Sequence, residues 1–254
     1  MVGTMAYDTR SKKLIAPYKR QAPPSRKRLS PEDRREQILE AAIQHFAEHG
    51  FDGGTRGVAD RLGVTQPLVY RYFPSKSDLV KAVYERVFIN RWREEWMALV
   101  TDRKMPLRER LVQFYCRYTE VVFAPEWIRI YVFSGLRGLE IHGWWLAFIE
   151  DHILSTICRE IRDAYSMPDF RELALQPNEF EAYWLFHGGI FYYGMRERVY
   201  GGKPRVSLTQ FIENAVDTLL DGYPITLRRF LNLGAKTHTA NSAGPPRQES
   251  GKRR

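Results

Sequence analysis

Cysteine is scarce in this sequence: Cys116 and Cys158 are the only two in 254 residues, each inside an apolar stretch. That excludes a disulfide framework and any metal site built on paired cysteines, and it fits a reducing cytoplasm. Long apolar runs are missing too. No segment reaches the ~18 to 20 uninterrupted apolar residues that span a bilayer as a helix. The short signatures of catalysis are also absent. Glu140, His142, His152, Cys158 and His187 lack the HExxH spacing, and there is no Gly-x-Ser-x-Gly and no phosphate-binding glycine loop. No enzyme, cofactor or metal is therefore expected. Acid is nearly missing from residues 1 to 28, where eight Lys and Arg face Asp8 alone. Pro17, Pro23 and Pro24, with no amphipathic spacing, argue against a targeting peptide.

What remains is enough for a sizeable core and a polyanionic partner. The chain is 44% hydrophobic and 13% aromatic, with a formal charge of +9. Charge alone would suit DNA, RNA or an anionic membrane surface equally. The basic segment over 1–29 reads either as a solvated tail or as an arm lying along DNA.

Residues 54 to 79, GTRGVADRLGVTQPLVYRYFPSKSDL, carry the sharper signal. Thr55 is placed to cap a short helix ending at Leu62, Gly63 to stop it, and Thr65 to cap a second, with Pro67 harmless in its first turn. Val58, Ala59, Leu62, Val64, Val69 and Phe73 close a small core, leaving Gln66, Pro67, Leu68, Tyr70, Arg71 and Tyr72 for the outward face. Such a pair of helices places its second member in the major groove. Ser75-x-x-Asp78 is a capping box that starts the next helix and puts Lys76 in its first turn, where an anion is favoured. Upstream, Ser30, Pro31 and Asp33 start a supporting helix that Gly50 ends.

The run GVTQPLVYRYFPSKSDL, with HGFDGGTRGVADRLGV before it, resembles the N-terminal domain of TetR/AcrR-type transcriptional regulators over about residues 31 to 80. Two positions depart from the family pattern: Gly57 stands where a helix former is usual, and Pro67 where glycine often lets the backbone approach DNA. The resemblance implies an all-α protein with a helix-turn-helix head over 30–77 and a helical ligand-binding and dimerisation domain over 78–232; the composition of 233–254 reads as a disordered tail. It implies a cytoplasmic, ligand-responsive homodimer, a repressor, on a pseudo-palindromic double-stranded DNA operator. Carried over residue by residue, Gln66 and Arg71 can read adenine and guanine edges, and Leu68 a thymine methyl. Thr55, Arg56, Thr65, Tyr70, Tyr72 and Lys76 become phosphate contacts, with Pro67 beside them.

Beyond residue 80 the sequence gives helices and little else. One is expected from Ser75 to about Val100, linking head and body. Others are expected over 107–123, 127–139 (which begins like a strand), 144–165, 178–198 and 208–223. The last two suit an intersubunit four-helix bundle or, equally by periodicity, a larger monomeric core. Tyr118, Trp127, Tyr131, Trp145, Trp184 and Phe191 are the candidates to line an apolar effector pocket, with Arg137 and His187 to orient a polar group. An inducer-independent architectural DNA-binding protein of the same fold is the main alternative; an RNA module should expose stacking aromatics in loops instead.

Overall fold

The computed structural model describes residues 29–233. Except for Leu29 and Leu233, the expected basic arm and C-terminal tail lie outside the described residues. Among those described, the regular structure is helical throughout, with no strand.

The head is built from α1 (Pro31–His49), α2 (Gly54–Leu62) and α3 (Gln66–Tyr72). Ser30 caps α1 by accepting from the Asp33 amide at 3.0 Å, and Gly50 ends it at φ 68°. Gly63, at φ 63°, turns the chain between α2 and α3. Ile38, Ala42, Phe46, Val58, Val69 and Phe73 fill the space between the three helices. Thr55 does not cap α2. Gly53 does so, in the left-handed region at φ 71°, while Thr55 lies inside the first turn and is buried. Because Gly54 also takes positive φ, the helix can begin one residue early.

α4 (Lys76–Val87) starts with the expected capping box between Ser75 and Asp78. It does not continue to Val100. A 3₁₀ turn at Ile89–Arg91 and an extended Trp92 precede a separate α5 (Glu95–Thr101). Phe88 is the anchor of the break, inserted among Trp127, Tyr131 and Trp145. A straight helix gains 1.5 Å per residue and would carry Trp92 and Trp96 past the body. The break turns them back onto Phe148 and Phe114.

In the body, α6 (Leu107–Val122) runs through the centre with Leu111, Phe114, Tyr115 and Tyr118 buried. α7 (Pro125–Leu136) is a helix despite its strand-like start. α8 (Glu140–Phe148) and α9 (Ser155–Ala164) are joined by a wide π-helical turn at Ile149–Leu154, so the expected 144–165 segment is longer and interrupted. α10 (Pro177–Gly194) leads into a second π-helical stretch, Met195–Val199. Buried Arg162 pairs with Glu179 and donates to the carbonyls of Pro168 and Leu173, binding the intervening loop to the start of α10.

α11 (Leu208–Phe230) overruns its expected end at Tyr223 by passing through Pro224. Proline lacks the N–H that would bond the carbonyl four residues back. That carbonyl, on Leu220, instead accepts from the Tyr165 hydroxyl at 2.9 Å. A side chain from the end of α9 thus makes the continuation possible.

Candidate nucleic-acid interface and interior cavity

The side chains on α3 are held by α2. Gln66 Nε2 donates to Thr55 Oγ1 at 2.8 Å, and Thr55 Oγ1 donates to the Tyr70 hydroxyl at 3.1 Å. Thr55 is 3% exposed, so its hydroxyl serves these neighbours and is not open to a phosphate. Gln66, tied through its amide nitrogen, keeps its oxygen free. Pro67, Tyr70 and Arg71 are exposed, while Leu68 and Tyr72 are half-buried.

Thr65 and Arg56 are exposed at the starts of α3 and α2. Lys76 folds back from α4 over the start of α2, its ammonium 3.4 Å from the Phe51 carbonyl oxygen. Arg56 and Arg71 make no ion pair among the described residues, whereas Arg61 and Arg86 are taken by Glu48 and Glu36. Hydrogen bonds from those arginines hold both carboxyls below their ordinary range. The two free guanidiniums and Lys76 therefore set the charge of this face.

Gly57 has a structural cause. A Cβ there would lie 2.4 Å from the His45 ring, which fills the gap between α1 and α2 and bonds the Asp52 carbonyl at 3.1 Å. The departure from the family pattern thus belongs to head packing, away from α3.

Of the eight expected pocket residues, seven meet around one interior cavity of about 60 Å³: Tyr118, Trp127, Tyr131, Trp145, Trp184, His187 and Phe191. Ile149 and Gly188, which the sequence did not single out, complete the lining. Arg137 is the exception. It lies exposed at the end of α7, 2.5 Å from both carboxylate oxygens of Asp52 on the head.

His187 is buried, and burial pulls its pKa from 6.5 down to about 4, so the ring is neutral near pH 7. Its Nδ1 is 3.2 Å from the Tyr115 hydroxyl, which itself pairs with Tyr183 at 2.5 Å. Burial raises both phenols, so they too remain protonated. Neither Tyr115 nor Tyr183 is singled out by the sequence. Their hydroxyls could have been suspected from phenols at fully buried helical positions, which need partners.

α7 joins the cavity to the head. Trp127 and Tyr131 face the cavity, while Arg129, two residues and roughly 200° round the helix from Trp127, donates to the carbonyls of Ala47 at 2.5 Å and Glu48 at 3.3 Å. Those are last-turn carbonyls of α1, at the negative end of its dipole. Phe133 packs against Gly50, 3.1 Å from where a Cβ would be.

A second concavity, about 530 Å³ and open to the surface, lies between α10 and α11, lined by residues such as Leu185, Phe186, Gly189, Ala215 and Leu219. Leu185 is 82% and Ile225 64% exposed beside it. It is larger than the interior cavity but is an apolar groove on the outside, the geometry of an interface more than of a ligand site.

Residues 38–83 match the family model described as bacterial regulatory proteins, tetR family. The chain is 36% identical over 91 residues to the HTH-type transcriptional activator FasR of Mycolicibacterium smegmatis, covering 35% of this chain and 42% of that protein. To the HTH-type transcriptional regulator LuxR of Vibrio harveyi it is 40% identical over 63 residues, or 24% of this chain and 31% of that protein. The chain thus spans less than half the length of either relative. Among solved structures, a TetR-like transcriptional regulator from Rhodococcus sp. RHA1 superposes with TM-score 0.57 and 18% identity, covering 77% of this chain and all of that one (100%). A TetR family regulator from Pseudomonas syringae pv. tomato gives TM-score 0.51 and 22% identity, covering 76% and 97%. At these identities the structures speak to the fold.

Proposed function

The chain has a TetR-family helix-turn-helix head, and on that premise we propose that it is a sequence-specific DNA-binding transcriptional regulator acting as a homodimer on a pseudo-palindromic operator, repressing by occupancy and released by a small, mostly apolar ligand. The observation that carries this is the α3 face, where Gln66 and Tyr70 are held through Thr55 and Arg71 makes no ion pair among the described residues. Gln66 and Arg71 supply the amide and guanidinium that match adenine and guanine edges. Arg56, Thr65, Tyr70 and Lys76 fix the register on phosphates. Half-buried Leu68 and Tyr72, with Pro67, shape the surface between them.

Dimerisation is supported by the apolar groove between α10 and α11, which a second copy can cover with the same two helices in a self-complementary contact. Two α3 helices then meet successive major grooves about 34 Å apart. A ligand changes that spacing only by its differential affinity for two arrangements of the dimer. α7 is the element suited to transmit the change, since one face walls the cavity and the other grips α1.

One observation favours a second reading. The interior cavity, at about 60 Å³, is smaller than the ~150 Å³ hole that admits benzene. A body packed this closely also suits an architectural DNA-binding protein with no inducer. Gel-shift titration against the chain's own upstream DNA and a scrambled duplex, at two salt concentrations, separates the two. Preference for the upstream DNA with steep salt dependence is expected of the regulator; equal binding to both duplexes would point to the architectural role.

A further inference from the structure

The turn that joins α10 to α11 is basic. Residues 195–207 carry Arg196, Arg198, Lys203 and Arg205 against a single acid, Glu197. We propose that this turn is a second DNA contact: in the dimer it lies over the centre of the operator, where Arg196, Lys203 and Arg205 hold backbone phosphates between the two half-sites. The contact rests on the dimer and operator proposed above and lies outside the head.

The place of the turn follows from the course of the helices. At one end of the body Arg103, just before α6, reaches Glu160 and Asp163 on α9, and Arg162 binds the start of α10. From there α6 and α10 both run to the other end, where they meet: a Cβ on Gly194 would lie 2.3 Å from the Phe123 ring. α7 leaves that same end at Pro125, packs against Met195–Val199 and grips the last turn of α1. The basic turn is therefore at the end of the body that carries the head. α11 starts from it, so a second copy covering the groove between α10 and α11 brings two such turns together at the two-fold axis. With the two α3 helices in successive major grooves about 34 Å apart, that axis meets the duplex midway between them.

The turn is also held in shape. Gly202 donates its amide N–H to the Arg196 carbonyl at 2.7 Å, and the Tyr193 hydroxyl donates to the Val206 carbonyl at 2.8 Å. A Cβ at Gly202 would stand 2.9 Å from that same Arg196 oxygen, so a side chain there would force the turn open.

Its cations are free. Exposed arginines elsewhere are taken by carboxylates, Arg108 by Asp217 and Arg137 by Asp52. Here Arg198 is paired, with Glu197 at 3.3 Å, whereas Arg196, Lys203 and Arg205 make no ion pair among the described residues, and Lys203 and Arg205 are exposed. Arg196 lies over the Tyr192 and Tyr193 rings, 5.8 and 5.7 Å from their centroids, and its buried Nε has no hydrogen-bond partner. Stacking orients a guanidinium without neutralising it, which leaves its charge for a phosphate. A duplex already held by both heads presents its phosphates here at high effective concentration.

Gel-shift titration of the full chain on the upstream and scrambled duplexes, over a salt series, tests this with Lys203→Ala combined with Arg205→Ala. A matched control, Lys104→Ala with Arg229→Ala, removes the same charge from exposed positions at the far end of the body. The turn variant is expected to lose at least tenfold in affinity at low salt. Its slope of log affinity against log salt should fall by about 3 to 4, because the dimer loses four phosphate contacts at roughly 0.9 each. Phosphates carry no sequence, so the loss should appear on both duplexes, and the control should bind like the unmodified chain. An unchanged slope, or an equal loss in the control, would overturn the proposal. Sedimentation velocity checks that the turn variant is still a dimer. If it is not, ethylation interference with the unmodified chain decides: ethyl groups on phosphates midway between the half-sites should weaken binding, and no effect there overturns the contact.

The outcomes also separate this contact from the regulator reading. Preference for the upstream duplex with an unchanged slope keeps the regulator and removes the contact. A reduced slope with equal binding to both duplexes keeps the contact and removes the operator. No binding of the unmodified chain to either duplex removes both.

Discussion

His45 and Gly57 interlock: a side chain on either α1 or α2 can fill the gap between them, and here α1 supplies it. Gly57→Ala should destabilise the head by about 1–3 kcal/mol through overpacking, read as a lower urea midpoint. His45→Ala combined with Gly57→Ala should be clearly non-additive, because the two share one space. Thr55→Val removes the oxygen that Gln66 and Tyr70 share. Operator affinity should fall several-fold while binding to scrambled DNA at low salt stays level, since register and not charge is lost. His187 gives a pH signature. Its folded pKa of about 4 lies below the ordinary 6.5, so its neutral state contributes stability that is fully present above pH 6.5 and is lost as pH falls toward 4. The loss approaches about 3 kcal/mol, and His187→Gln should flatten that part of a melting-temperature profile. At this scale the sequence was legible where local chemistry decides, as with Ser30, Gly63 and the Ser75–Asp78 box. It misled at Thr55, because a threonine before a helical run has the same pattern whether it caps the helix or sits inside it. Two positive-φ glycines settled which.

Among the elements, α7 joins parts that its sequence read as a single apolar run. Its cavity residues were legible, since Trp127 and Tyr131 are aromatics at i, i+4 spacing. Arg137 was misplaced because an arginine near aromatics has the same pattern whether it faces a pocket or a neighbouring domain. The long linking helix failed for a related reason: helical periodicity continues through Phe88 to Trp92 and Trp96, and only the three-dimensional position of the body forces the break. Arg129→Ala and Arg137→Ala should leave the protein folded: Arg137 loses one exposed ion pair, worth at most about 1 kcal/mol, and Arg129 only its hydrogen bonds to the Ala47 and Glu48 carbonyls. Ligand binding should persist in the pair of substitutions while operator release is lost, a split visible by running calorimetry and gel shift on one preparation.

For the whole molecule, α10 and α11 expose apolar side chains that a second copy can cover. Leu185→Glu with Ile225→Glu should yield monomers in sedimentation velocity and weaken operator binding by at least tenfold, since half-sites no longer bind as one unit. All-helical architecture and the head's place in the chain were legible because capping and turn residues recur at fixed spacing. The groove was not, because an interface and a core share one periodicity, and only exposure tells Leu185 from Ile190. The grip of α7 on α1 also bears on protein engineering. Head and body meet at Ala47, Glu48, Gly50 and Asp52 as well as along the chain. A chimera made by exchanging residues 30–77 for another regulator's head inherits the covalent junction but not that docking surface. Such a hybrid would recognise its new promoter yet lack the ligand response proposed above until those four positions were transplanted with it.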